Sequence, residues 1–349
     1  MIPVFDGHND FLQRMVAAGA ARDRLWLQGD GTGHLDLPRM QAGGMVGGFF
    51  AIWTPDAPGP DDALASVLKA NPPFALPLPE EVASADALPH ALVQAGQLMA
   101  MQRMGQLTIC KTAAQIRQTI AEGRIAAILH IEGAEPIADM DALHVWHAMG
   151  LRSLGPVWSR PTAYGHGVPF AFPSSPDTGP GLTPEGKDLV RECNTLRILL
   201  DLSHLNEKGF DDIAALSDAP LVASHSCAHA VAPSSRNLTD RQLRVIAESR
   251  GLVGLNYAVG FLHPEGRREP MQGFDIMLRH LDHLLAHLGE DGVALGSDYD
   301  GAQMPEDISD ASKLQNLIQA MLSHGYGREL VEKIAFRNWI NVLERTWGA

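Results

Sequence analysis

The chain has 349 residues, of which 45% are hydrophobic and 19% charged, a composition typical of a folded globular protein and not of a disordered one. Its 41 acidic against 27 basic residues give a net charge of −14, a field that repels nucleic acid and anionic membrane surfaces. Three cysteines are too few for a disulfide framework or a thiolate zinc cluster. We therefore expect a cytoplasmic protein with no nucleic-acid partner and no membrane anchor in this chain.

Eight short apolar runs, each bounded by turn residues, predict strands that are buried on both faces. In chain order they are residues 3–6, 44–53, 126–131, 151–158, 197–203, 221–224, 251–257 and 293–297. Helical patterns follow most of them, with N-cap signals at Thr183, Asn206 and Thr239. This alternation predicts an α/β fold, a (β/α)8 TIM barrel in which residues 1–349 form a single hydrolase domain, with a doubly wound open sheet as the alternative.

Two long segments interrupt the alternation after the second and the fourth predicted strand. Residues 55–81 are rich in proline and alanine, and residues 159–181 are rich in proline, glycine and serine. Both leave the carboxyl end of a strand, which is where barrel enzymes build their active sites. We interpret them as loop insertions that form the walls of a pocket; the alternative is a pair of surface loops without a role.

Residues of the types that bind metal ions stand at the ends of five predicted strands. They are His8 and Asp10 at the first strand, Glu132 at the third, His204 at the fifth, His225 at the sixth and Asp298 at the eighth. Because positions i and i+2 of a strand point to the same face, we expect His8 and Asp10 to converge. Three imidazoles and two carboxylates suit two borderline divalent ions, each with a position left for water. With Glu132 shared, the sequence predicts two Zn²⁺ ions bridged by Glu132 and a hydroxide.

Further polar residues are candidates for catalysis and substrate binding. Asp298 would lie beside the hydroxide, where a carboxylate can accept the proton of water and pass it to a leaving amine. Arg236 could hold a substrate carboxylate through its planar guanidinium, or could form an ordinary salt bridge. Tyr257 ends the seventh predicted strand and His166 lies in the second insertion, so both are candidate substrate contacts.

Other histidines do not carry the spacing of a known metal motif. His280, His283 and His287 include an i, i+4 pair, but no glutamate follows the first histidine as it does in His-Glu-x-x-His. We expect all three on the solvated face of the helix before the last strand.

The segments around these residues resemble the membrane (renal) dipeptidase family of binuclear zinc metallopeptidases, in the amidohydrolase-like superfamily. The matching segments are Asp6-Gly7-His8-Asn9-Asp10, Ile131-Glu132-Gly133, Leu200-Asp201-Leu202-Ser203-His204, Ser224-His225-Ser226, Ser235-Arg236-Asn237 and Gly296-Ser297-Asp298-Tyr299-Asp300-Gly301. The resemblance implies a homodimeric barrel with two zinc ions that cleaves dipeptides, including those with a D residue at the C-terminal position. By position it also implies that Arg236 binds the terminal carboxylate and that Asp298 shuttles the proton.

The sequence departs from the family pattern in two places. Trp158 stands where the family commonly has a histidine that is expected to polarise the scissile carbonyl, so His166 or zinc alone would take that role. The segment after the bridging glutamate reads Glu132-Gly133-Ala134-Glu135 where the family usually has Glu-Gly-Gly-His. These departures leave two alternatives: a binuclear-metal barrel hydrolase of another amide or lactone with an altered pocket, and a catalytically silent zinc-binding protein.

Overall fold

The computed structural model describes residues 1–56 and 70–348. Each of the eight predicted runs overlaps a strand. The strands of these residues are β1 (Val4–Asn9), β2 (Met45–Trp53), β3 (Phe74–Ala75), β4 (Leu107–Ile109), β5 (Ile125–Glu132), β6 (Leu151–Gly155), β7 (Pro161–Thr162), β8 (Gly165–His166), β9 (Ala171–Phe172), β10 (Leu199–Leu200), β11 (Val222–Ser226), β12 (Leu252–Leu255) and β13 (Val293–Leu295). The short strands β3, β4, β7, β8 and β9 have no counterpart in the predicted runs. All five lie outside the apolar segments that the sequence pattern detects.

Helices separate most of the long strands. They are α1 (Phe11–Ala18), α2 (Arg22–Gln28), α3 (Leu37–Gly43), α4 (Ser84–Arg103), α5 (Ala113–Ala121), α6 (Met140–Met149), α7 (Pro184–Leu196), α8 (Glu207–Leu216), α9 (Asp240–Glu248), α10 (Val259–Leu262), α11 (Asp275–Leu288), α12 (Leu314–His324), α13 (Arg328–Glu332) and α14 (Asn338–Trp347). The predicted N-caps are confirmed, because the side chains of Thr183, Asn206 and Thr239 each accept a backbone N–H of the first turn. None of the helices within 1–56 and 70–348 has the length and apolar character needed to cross a bilayer.

The long strands are parallel and follow one another in space as they do in the chain. The order β1-β2-β5-β6-β10 forms one curled sheet, to which β4 adds through β5, and β11-β12-β13 forms a second. Single parallel bridges, Asp201 to Val222 and Asn9 to Tyr299, connect the two sheets at both edges. In a doubly wound open sheet the spatial order of the strands changes direction at a switch point, and the order observed here does not.

A short pair of strands joins the two insertions that were predicted to form the pocket walls. Strand β3, from the first insertion, pairs antiparallel with β9, from the second, through Phe74 with Phe172 and Ala75 with Ala171. The part of the first insertion that falls at 57–69 lies outside the described residues. The described parts thus contact each other beside the carboxyl ends of β2 and β6.

A hydrophobic cluster joins the two sheets. It takes fully buried side chains from seven of the long strands, among them Phe5, Phe49 and Leu252, together with residues of α14. Trp339 of α14 packs on Phe49 with ring centroids 4.9 Å apart and donates its indole N–H to the carbonyl of Leu295 at 2.8 Å. Gly7 permits this packing, because a Cβ there would lie 2.3 Å from the Ser224 carbonyl oxygen and 2.5 Å from the Trp339 ring.

We predict that Trp339→Ala lowers the free energy of unfolding by about 3–5 kcal/mol, because it removes a fully buried indole and leaves a cavity that the rigid strands cannot fill. Urea denaturation followed by circular dichroism measures this change. Val145→Ala, at a side chain that is 60% exposed, serves as the control and should change stability by less than about 0.5 kcal/mol. A loss below about 1 kcal/mol at Trp339 would contradict the packing described here.

Candidate metal centre

The carboxylate of Glu132 lies at the centre of a buried cluster of metal-binding side chains. Its Oε1 is 3.1 Å from Nε2 of His204 and 3.3 Å from Nε2 of His225. Its Oε2 is 3.6 Å from Nε2 of His8, which lies 3.4 Å from Oδ2 of Asp10. The structure thus brings the five predicted ligands together in two overlapping groups that share Glu132.

Asp10 reaches the cluster in a different way from the one predicted. Strand β1 continues through Asn9, so His8 lies within it, whereas Asp10 has left the strand with φ −105° and ψ 23° and forms the N-cap of α1. Its backbone N–H donates to the carbonyl of Tyr299, which anchors the turn next to β13. The two side chains therefore converge because the chain turns into a helix, and the prediction of a strand pair at i and i+2 is wrong.

Serine hydroxyls fix the orientation of two of the imidazoles. Ser159 Oγ is 2.7 Å from Nδ1 of His204, and Ser224 Oγ is 2.8 Å from Nδ1 of His225. Ser224 in turn donates to the buried carboxylate of Asp201. With Nδ1 as the donor, each ring directs the lone pair of Nε2 toward Glu132, which is the tautomer that a metal ligand needs.

Two residues of the cluster hold a strained backbone conformation. His204 has φ 66° and Asp298 has φ 62°, both in the left-handed region that side chains other than glycine rarely adopt. Such conformations persist where the surrounding structure enforces them, and they concentrate at functional sites. Both residues line the cavity beside the cluster.

The pKa shifts and the unpaired donor atoms of the cluster fit a cation-binding site. Burial raises the pKa of Glu132 to about 8 and also raises that of Asp10. Burial depresses the pKa of His8, but the Glu132 and Asp10 carboxylates outweigh it and raise that pKa to about 10. Both ring nitrogens of His8 and Oε1 of Glu132 are buried without a hydrogen-bond partner. Imidazole and carboxylate donors left in this condition fit divalent cations such as zinc.

Asp298 borders the same cluster on the side of the eighth predicted strand. Its backbone N–H donates to the His8 carbonyl at 3.0 Å, and its Oδ2 accepts the side-chain amide of Asn256 at 2.9 Å. Its Oδ1 faces Gly301, where a Cβ would lie 2.6 Å from that atom and 2.1 Å from Oδ2 of Asp10. The missing side chain at Gly301 leaves room for both carboxylates at the edge of the cavity.

Arg236 is a buried cation next to the backbone of His225. It is 4% exposed, its Nη2 donates to the His225 carbonyl at 3.2 Å, and its guanidinium lies over the ring of Phe261 at 5.4 Å. Burial lowers its pKa, while the carboxylates of Asp298 and Glu132 raise it. Its Nε has no hydrogen-bond partner. The guanidinium thus keeps an unused donor in a low-dielectric setting, as expected for a group that binds an anion.

An aromatic wall lines a cavity beside the metal-binding residues. Trp158 lies 5.8 Å from the His204 ring and packs against Trp53 and Phe170 at 5.3 Å and 5.6 Å between ring centroids. The cavity is lined by Asp10, Gln13, Trp53, Glu132, Trp158, Phe170, His204, Ala258, Val259, Gly260, Phe261, Arg268, Asp298, Asp300, Gly301, Ala302 and Gln303. It therefore combines an acidic metal-binding side with an apolar wall.

Comparison with known proteins identifies the family. Residues 1–347 match the family described as membrane dipeptidase, peptidase family M19. The chain belongs to this family. It is therefore a metal-dependent hydrolase that acts on dipeptides, and the resemblance seen in the sequence is confirmed.

Individual relatives agree with this family. A metallopeptidase from Rhodobacter sphaeroides, solved with a phosphinate mimic of the dipeptide L-Ala-D-Ala, is 58% identical, with a TM-score of 0.95 over 99% of each chain. An uncharacterized Klebsiella pneumoniae protein from the pqqA 5' region is 43% identical over 244 residues, covering 70% of this chain and 90% of its own. The dipeptidase tcpJ of Claviceps purpurea (strain 20.1) is 28% identical over 351 residues, covering 97% of this chain and 76% of its own.

Two candidate substrate contacts lie away from the cavity lining of this dipeptidase-family chain. His166 lies in β8, where it pairs with Pro161, and its carbonyl accepts the N–H of Asn206. Tyr257 is fully buried and packs edge-on against Tyr299 at 5.8 Å. Neither side chain is among the residues that line the cavity.

The histidines of α11 divide into two environments. His283 and His287 are partly exposed and face Asp240, with His283 Nε2 2.7 Å from its carboxylate. His280, in contrast, is completely buried, so its predicted place on a solvated face is wrong. Its Nε2 donates to the Leu262 carbonyl and its Nδ1 accepts the N–H of Ala228, which ties α11 to the loop after β11. Burial lowers its pKa to about 4, so the ring is neutral.

A buried ion pair that the sequence did not predict supports the aromatic wall. Arg160 is completely buried, donates from Nε to Glu135 at 2.7 Å and from Nη1 to Asp56 at 2.9 Å, and lies over the rings of Trp53 and Trp158. Glu135 is the residue at which the sequence departs from the family's Glu-Gly-Gly-His. In this chain Glu135 binds Arg160, the arginine that lies over the rings of the aromatic wall.

We predict that Glu135→Leu destabilises the fold by about 3 kcal/mol or more, because it leaves a buried guanidinium without its closest counter-charge. The double variant Glu135→Leu/Arg160→Met removes both charges and should be more stable than the single variant. Chemical denaturation of the four proteins in this cycle measures the coupling. Equal stability of the single variant and the unmodified protein would contradict the role of the pair.

Proposed function

We propose that the protein is a zinc-dependent dipeptidase that hydrolyses the peptide bond of dipeptides, including L-Xaa-D-Xaa substrates, with two Zn²⁺ ions in one active site. The observation that carries the proposal is the placement of Glu132 between two groups of imidazole and carboxylate donors, in a cavity that Asp298 also lines. Arg236 is near enough for the charges of both carboxylates to act on its guanidinium. The L-Ala-D-Ala mimic bound to the Rhodobacter sphaeroides relative supports the stereochemical part.

The ligand set divides naturally between two ions. His8, Asp10 and Glu132 would hold one, and Glu132, His204 and His225 would hold the other. When bound, the ions supply a polarised scissile carbonyl and a water that loses its proton near neutral pH. Three protein ligands for each ion leave coordination positions for water and substrate.

Arg236 and Asp298 would position the substrate and move the proton. The buried Arg236 guanidinium, with its free Nε, would bind the terminal carboxylate of the dipeptide through charge-assisted hydrogen bonds. Asp298 would accept a proton from the attacking water on Oδ1 and deliver it to the departing amine. Asn256 holds the opposite oxygen, Oδ2, so the carboxylate keeps a fixed orientation during both transfers.

The scaffold of the proposal is a closed (β/α)8 barrel made by residues 1–349 as one domain. The single bridges between the two sheets and the cluster of inward side chains from seven strands support closure. The homodimer and the cytoplasmic location expected from the sequence belong to the same proposal. His166 and Tyr257 would act on the substrate only through residues nearer the cavity.

We predict that Glu132→Gln lowers the bound zinc from about two ions per chain to fewer than one, because both ions lose their shared negative ligand. Elemental analysis of protein dialysed against metal-free buffer measures the ratio. Glu344→Gln, at an exposed carboxylate paired with Arg117, is the matched control and should retain the full content. One ion per chain in the unmodified protein, or two in Glu132→Gln, would disprove the shared ligand.

We predict that Asp298→Asn lowers kcat for L-Ala-L-Ala and L-Ala-D-Ala by about 10²–10⁴-fold, because an amide cannot carry the proton. Its zinc content and its KM should change little, and Asp282→Asn on the surface should behave like the unmodified enzyme. Activity surviving in Asp298→Asn would remove this residue from the mechanism. Turnover of lactones or other amides without turnover of any dipeptide would replace the proposed substrate class.

A further inference from the structure

A second arginine, Arg268, lines the same cavity as Glu132, Asp10 and His204, whereas Arg236 does not line it. Arg268 follows α10, and its guanidinium lies against Gly260, where a Cβ would come within 2.7 Å of Nη1. Its other face lies over the ring of Phe74 at 5.5 Å. Both Arg268 and Gly260 line the cavity, so the guanidinium is held between a helical turn and an aromatic ring beside the substrate space.

This guanidinium has no counter-charge within residues 1–56 and 70–348. No described carboxylate lies within 4.0 Å of it, and its Nε is buried without a hydrogen-bond partner. The adjacent Arg267, in contrast, pairs with Glu265 at 2.5 Å. Burial lowers the pKa of Arg268 to about 10, so it stays charged at neutral pH. A partly buried cation without a partner is costly for the fold, and such groups concentrate where a ligand supplies the missing charge.

The position of Arg268 relative to Arg236 indicates which part of a substrate it meets. Arg236 lies over Phe261 and Arg268 lies against Gly260, and these are consecutive residues of α10, with Cα atoms about 3.8 Å apart. The two guanidinium groups therefore flank one helical turn. A ligand whose terminal carboxylate is bound by Arg236 would carry the side chain of that same C-terminal residue toward Arg268.

We propose that Arg268 is a specificity residue that binds an acidic side chain on the C-terminal residue of the dipeptide, so that the enzyme prefers Xaa-Asp and Xaa-Glu substrates. The proposal rests on the proposed function, because it assumes that Arg236 binds the terminal carboxylate. A planar guanidinium recognises a carboxylate through two parallel hydrogen bonds, which a neutral amide of the same shape cannot match. Of the carboxylates that line the cavity, Asp10 and Glu132 belong to the proposed metal site, Asp298 accepts Asn256 and Asp300 accepts His34 and Arg14. This leaves Arg268 to the substrate.

The test compares isosteric substrates that differ only in this charge. We expect kcat/KM for L-Ala-L-Asp and L-Ala-D-Asp to exceed that for the corresponding asparagine dipeptides by about 10- to 100-fold, the value of one charged hydrogen-bonded pair. In Arg268→Gln the ratio should fall to about one, while L-Ala-L-Ala turnover stays within a factor of about three. Arg267→Gln, at the neighbouring paired arginine, should keep the full preference.

Each result separates this inference from the broader function. If L-Ala-L-Ala is hydrolysed but aspartate is not preferred over asparagine, or if Arg268→Gln keeps the preference, the inference fails and the dipeptidase stands. If Asp-Ala substrates show the preference and lose it in Arg268→Gln, the placement at the C-terminal residue is wrong. If no dipeptide is hydrolysed by the zinc-loaded enzyme, the proposed function itself fails.

Discussion

The carboxylate of Glu132 is the group on which the rest of the site depends. It is only 5% exposed, and burial raises its pKa, so cations bound on both sides would stabilise its charged form. Its strand, β5, pairs with β2, β4 and β6 and occupies the middle of the larger sheet. A side chain at the end of this strand reaches both His8 and the pair His204 and His225, whereas a side chain at an edge strand would reach only one group. The central position of β5 therefore makes a shared ligand possible.

A network of buried hydrogen bonds connects the two sheets and orients the candidate metal ligands at the strand ends. Asp201, at the bridge between the two sheets, accepts the backbone N–H groups of Ser203 and Ser224 at 3.0 Å and 2.8 Å. Ser203 Oγ then accepts the N–H of His225 at 3.1 Å, so the bonds that connect the sheets also orient the imidazole. A change that separated the two sheets at Asp201 would displace His204 and His225 together. The stability of the fold and the geometry of the candidate metal centre are therefore coupled.

The sequence predicted those features that depend on local pattern and on strand ends. The apolar runs located the strands, and His8, Glu132 and His225 could be placed because each lies at a strand's carboxyl end. Asp10 was placed correctly for the wrong reason, since no periodicity reveals that the chain turns into α1 at that residue. The burial of His280 and the pairing of Glu135 with Arg160 join segments far apart in the chain, and such contacts leave no trace in a single sequence. Arg268 escaped notice for the same reason, because only the folded chain shows that it faces the cavity.

Acidic and basic side chains occupy different parts of the cavity, and this separation limits where a substrate can carry charge. Carboxylates collect at the strand ends, where metal ions would balance them, whereas Arg268, which lines the cavity, follows the four-residue helix α10. Gly260 permits this placement, because any side chain at that position would occupy the space of the Arg268 guanidinium. The aromatic wall of Trp53, Trp158 and Phe170 lines the same cavity and offers no charge. The proposed substrate is short, places its peptide bond over the metal-binding residues and carries its negative charge at one end.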